Sequence, residues 1–123
     1  MVTFNNSQHK KDFFFLINCH EKYNCTIPIN EWTSTSYMIA GIGATDMFLS
    51  VLNQDMTVDY KKLQRFLRSV PKRLRILILF AVQQSNHQFK KISFNKVIKQ
   101  LTREEMTLIL TAVDTNYFHL AIC

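Results

Sequence analysis

Lys61, Arg65, Arg68, Lys72 and Arg75 recur at intervals of four, three, four and three residues. On a helix that spacing lines cations along one face, at a pitch that can follow the phosphates of a nucleic acid and release their condensed counterions. These five belong to a larger block. Residues 57–103 hold twelve Lys and Arg against one acid, Asp59, whereas the segments on either side are net acidic. Most charge runs are solvated helix faces, but such faces usually mix signs, because like charges three or four residues apart repel. A block this one-sided points to a polyanionic or acidic partner. Its candidate contacts are Lys61, Lys62, Arg65, Arg68, Lys72, Arg73, Lys90, Lys91, Asn95, Lys96, Lys99 and Arg103. Pro71 bends the line between Arg68 and Lys72, so the stripe is expected to be shared by two helices.

Other chemistries find less material. Cys19 and Cys25 near one end, with His119 and Cys123 at the other, supply four zinc-type ligands, and His20 is a further option. Structural zinc pairs usually sit closer in sequence, so small apolar groups in a core are the better reading of the cysteines. Three cysteines are also too few for a disulfide scaffold, which fits reduced thiols and an intracellular setting, cytoplasm or nucleus. No two of the nine acids form an inward-facing pair, and His9, His20, His87 and His119 are scattered. There is no phosphate-cradling glycine loop, nucleophile elbow or metalloprotease pattern. The expectation is a protein that is not an enzyme and has no cofactor or bound metal. No apolar run approaches the roughly 20 residues that span a bilayer, so no membrane partner is expected.

Two Gly and two Pro in 123 residues leave little punctuation for tight turns, while 47% apolar residues rule out wholesale disorder. That balance predicts a single all-α domain over residues 1–123, with 1–9 polar and loose. Six or seven short helices are expected around a central apolar one. Residues 13–17 read as strand or buried helix, and the lack of a clear hairpin partner favours helix. After Pro28, Asn30 or Thr33 caps a short helix, and Gly41-Ile-Gly43 breaks it. Thr45-Asp46 caps a helix over 47–53. Thr57 or Asp59 opens the next, running to Val70, with Tyr60, Leu63, Phe66, Leu67 and Val70 as its inner stripe. Ser69 and Pro71 then start a helix whose run 74–82 is apolar nearly all round, the pattern of an element surrounded by others. Residues 83–89 read as a polar turn. Ser93 caps a helix over 94–101, and Thr102-Arg-Glu-Glu105 is a capping box opening a last helix from Arg103 to Val113, with a continuation to Leu120 left open.

The last three helices come in helix-turn-helix-like order. The final one is apolar and acidic, however, and better suited to core packing or a protein contact than to reading bases. Residues 93–105, Ser93-Phe-Asn-Lys-Val-Ile-Lys-Gln-Leu-Thr-Arg-Glu-Glu105, resemble a helical stretch of phage anti-sigma factors of the AsiA type. The likeness covers about a tenth of the chain and implies a small all-helical protein that binds a transcription factor. Two functions therefore stand side by side. One is a basic regulatory protein that binds nucleic acid, DNA above all. The other is a helical inhibitor or interaction module that docks on another protein. Oligomeric state is not legible.

Overall fold

A computed structural model describes residues 4–85, 94–99 and 101–118, with backbone alone at 94, 98 and 115–118. Among these the fold is all-α. It has seven helices: α1 (Ser7–Lys22), α2 (Ile29–Ile42), α3 (Thr45–Ser50), α4 (Tyr60–Leu67), α5 (Lys72–Gln83), α6 (Phe94–Ile98) and α7 (Arg103–Phe118). The described residues form no strand, and Leu52 and Val58 alone make an antiparallel bridge.

α1 settles the ambiguous aromatic run. His9, Phe13, Leu16 and Cys19 are buried, a spacing of four, three and three that only a helix can face inward, while Phe15 is 54% exposed. The Asn6 side chain accepts the His9 N–H at 2.8 Å and satisfies one of the donors a helix start leaves open. Tyr23 closes the helix, and Asn24 takes the left-handed conformation that asparagine tolerates.

α2 is the helix the others surround. It packs against α1, α3, α5 and α7, and residues 34–40 are buried without a break. At 3.6 residues per turn such a run covers the whole circumference. The expected centre, residues 74–82, lies instead in α5, which packs on α2 and α6 and leaves Leu74 and Leu79 half-buried. Hydropathy misplaced the centre because α2 buries Ser34, Thr35 and Ser36. A buried hydroxyl costs little once it is hydrogen-bonded, and its small size lets helices approach closely. Ser34 donates to the Ala112 carbonyl of α7 at 2.7 Å, and Thr35 to the Ala81 carbonyl of α5 at 2.8 Å. Thr35 also shares a 2.7 Å bond with the Ser85 hydroxyl. The Trp32 indole N–H reaches back to the Leu16 carbonyl of α1 at 2.8 Å. Ser36 has no hydrogen-bond partner among the described residues.

Several boundaries differ from expectation for visible reasons. Pro28, not Asn30 or Thr33, precedes α2, and its carbonyl accepts the first helical bond from the Trp32 N–H at 3.0 Å. The helix continues through Gly41 because that residue supplies space: a Cβ there would lie 2.4 Å from Leu108 Cδ1 of α7. It stops at Gly43, whose φ of 82° begins a paired C-terminal closure, with Gly43 and Ala44 N–H groups on the Ala40 and Ile39 carbonyls. α3 is preceded by Ala44 rather than capped by Thr45-Asp46, and it ends at Ser50. Ser69 donates to the Phe66 carbonyl at 3.0 Å, so it closes α4 instead of opening α5. The turn expected over 83–89 and the Ser93 cap lie largely outside the described residues. The capping box is present: Glu105 N–H donates to Thr102 Oγ1 at 3.3 Å and Thr102 N–H to Glu105 Oε1 at 2.9 Å.

Candidate nucleic-acid interface

α4 is built to present cations. Asp59, the acid of the basic block, accepts the Lys62 N–H at 3.1 Å and is thereby committed to starting the helix. Leu63 and Leu67 are the two buried side chains of its eight residues, and they fix which face turns to the body. Lys61, Lys62 and Arg65 are left exposed on the other sides, followed by Arg68 just past the last helical residue. The inner stripe is therefore narrower than the sequence spacing indicates. Tyr60 is 49% and Phe66 37% exposed, on the margins rather than in the core, and Val70 is half-buried. An eight-residue helix meeting the body along one line has no room to bury its flanks.

The expected stripe is broken at the joint between α4 and α5. Lys72 is exposed in the first turn of α5. Arg75 folds back, donating from its guanidinium to the Val70 carbonyl at 3.1 Å, so it braces the joint instead of extending the row. Arg73 is diverted as well, into an ion pair with Glu105 of α7. Partial burial pushes the Glu105 carboxyl up. The Thr102 N–H, the Arg73 guanidinium and the Thr102 hydroxyl outweigh that and hold it below the usual carboxylate range.

That ion pair has a geometric effect. It joins the first turn of α5 to the first turn of α7, so Lys72 and Arg103, both exposed, belong to the same end of the molecule. α6 packs on α5 and presents exposed Asn95 and Lys96, with exposed Lys99 leading towards Arg103. Lys61, Lys62, Arg65, Arg68 and Lys72 thus run along the chain from α4 into the first turn of α5, and Lys96, Lys99 and Arg103 from α6 into the first turn of α7, which the Arg73–Glu105 pair ties to α5. Lys90 and Lys91 lie outside the described residues. The residues that sequence reasoning missed are Tyr60 and Phe66. Their signal was available, since each lies three residues from Leu63 and so flanks it rather than stacking with it.

α7 does not resemble a base-reading helix. Leu108, Ile109 and Ala112 are buried, and α7 packs against α2. Its outer row, Arg103, Thr107, Leu110 and Asp114, mixes signs and includes a half-exposed leucine. No group of three metal-type side chains is found among the described residues. Cys19 is buried and Cys25 half-buried, and desolvation pushes both thiols above their ordinary value. His119 and Cys123 lie outside the described residues. No helix among the described residues is long and apolar enough to cross a membrane. Set against protein-family models, curated proteins and solved structures, the chain matches none. The class that can be stated is an all-α protein with an exposed cationic helix at one side.

Proposed function

We propose that the protein is a small basic regulatory protein that binds nucleic acid, DNA foremost, through α4 and the neighbouring first turns of α5 and α7. The observation that carries this reading is α4 itself: Lys61, Lys62 and Arg65 are exposed, no acid lies within the helix, and Arg68 follows at its end. This arrangement works against folding. Like charges three or four residues apart cost about 0.2–0.5 kcal/mol per pair. Lys72 and Arg73 also face the positive end of the α5 dipole, where cations are disfavoured. A surface that loses stability in this way is consistent with one that gains free energy from an external anion. Phosphates supply that gain by counterion release.

A second reading, a module docking on another protein, draws on half-exposed Leu110 in the outer row of α7 and on exposed Phe15, Tyr23 and Ile29. Salt separates the two. Fluorescence anisotropy with labelled oligonucleotides should give log affinity falling linearly with log salt concentration, at about 0.9 per duplex phosphate contact. Reversing Lys61, Arg65 and Arg68 to Glu together should abolish binding and leave the circular dichroism spectrum unchanged, because all three side chains are exposed. Absence of binding to any nucleic acid at low salt would sink this reading and leave the protein-docking one.

A further inference from the structure

We infer that the α4 face takes a single strand, whose bases stack on Tyr60 and Phe66 while its phosphates meet the cations. This rests on the nucleic-acid reading above and deepens it. With successive residues turning by about 100°, Leu63 and Leu67 define the inward side of α4. Tyr60 falls on one margin of that side and Phe66 on the other. Lys61, Lys62, Arg65 and Arg68 all lie in the arc between the two rings, so the cationic face is bordered by an exposed aromatic on each flank. Tyr60 is also held in place: its hydroxyl accepts a hydrogen bond from the Gln64 side-chain amide at 2.5 Å.

A duplex can use these rings only at the cost of unstacking a base step. Its bases are stacked on one another inside, and it offers a flanking side chain only phosphates and groove edges. A single strand presents base faces along its whole length, and each can lie on an aromatic ring with little regard to sequence. The other requirement of duplex reading, a helix rich in base-edge donors, is not met by the outer row of α7, with Thr107, Leu110 and Asp114. An acidic peptide would satisfy the cations, but its backbone brings no planar group with each charge as a nucleotide does.

The experiment compares the full chain against labelled single-stranded DNA, single-stranded RNA and duplex DNA across a salt series. Single strands should bind about ten-fold tighter than duplex or better, and Tyr60→Ala and Phe66→Ala should each weaken single-strand binding by about ten-fold. Neither should alter the salt slope, whereas Lys61→Ala should lower it by about 0.7 on a single strand. Tyr60→Phe and Phe66→Tyr keep a ring and should retain binding, which separates stacking from misfolding. Equal affinity for duplex and single strand, or ring deletions without effect, would overturn the single-strand assignment and leave nucleic-acid binding standing. No binding to any of the three would overturn both.

Discussion

His9 shows how a single polar residue can sit inside an apolar core. The Asn5 N–H donates to its Nδ1 at 3.0 Å, so that nitrogen carries no proton, and its Nε2 then donates to the Tyr37 carbonyl at 3.0 Å. The rings of Phe4 and Tyr37 pack against it, with centroids 5.1 and 4.7 Å away. Burial lowers its pKa below the ordinary 6.5, outweighing the Tyr37 carbonyl and the charge of Asp12, both of which favour the proton. The sign follows from linkage. Below 6.5 the unfolded chain binds a proton at this position that the folded chain resists, so stability is lost as pH falls through that value. Glu105 adds a separate loss only at lower pH, because its folded pKa lies below the ordinary 4.5. Urea unfolding should therefore show a first decline beginning near 6.5, and His9→Gln should flatten it. An unchanged decline in the variant would assign it to another group. None of this was legible in the sequence, where His9 is one scattered histidine in a polar leader. Burial and tautomer depend on α2 lying alongside.

At the scale of elements, the sequence marked some helix starts correctly and misplaced others, and it misjudged which helix is enclosed. The capping box at Thr102 is present as read, and Asp59, one of the two starts expected for α4, is its cap; both are local chemistry, decided within one turn. The centre of the fold is a relation between helices. Thr35 and its neighbours look surface-like until carbonyls from α5 and α7 are brought to them. This has a measurable consequence. Thr35→Val keeps the side-chain volume but deprives the Ala81 carbonyl and the Ser85 hydroxyl of their 2.8 and 2.7 Å bonds. It should destabilise by about 1 kcal/mol, the net worth of a buried hydrogen bond, although the substitution is towards greater hydrophobicity and the Ala81 carbonyl keeps the Gln84 N–H at 3.3 Å. A chemical-denaturation midpoint equal to or above wild type would show that the α2 hydroxyls are incidental. The cations of the candidate interface were legible one by one, since charge is a property of a residue. What was not legible is that Arg73 is held by Glu105 of α7 and that Arg75 folds back onto the Val70 carbonyl. Those outcomes depend on where α7 comes to lie and on how the chain turns between α4 and α5.

The molecule as a whole is lopsided in charge and in packing, and the two asymmetries coincide. The net charge of +6 is the residue of a strongly basic middle and two acidic ends, and the most uniformly cationic helix is also one of the least buried. α2 is enclosed by four other helices, whereas α4 rests on the body through two leucines. Local openings cost free energy in proportion to the apolar contact they break, so the two should not open together. Under native conditions, amide hydrogens of α4 should exchange with deuterium well before those of α2, through excursions that leave the rest of the fold intact. Uniform protection across both helices would show that the chain opens only as a unit. A bound polyanion would suppress those excursions selectively, by bridging repelling side chains that otherwise favour release. The two-leucine attachment of α4 thus makes ligand binding at this face legible first in one helix, as slowed exchange across α4 that accompanies the rise in the global unfolding midpoint.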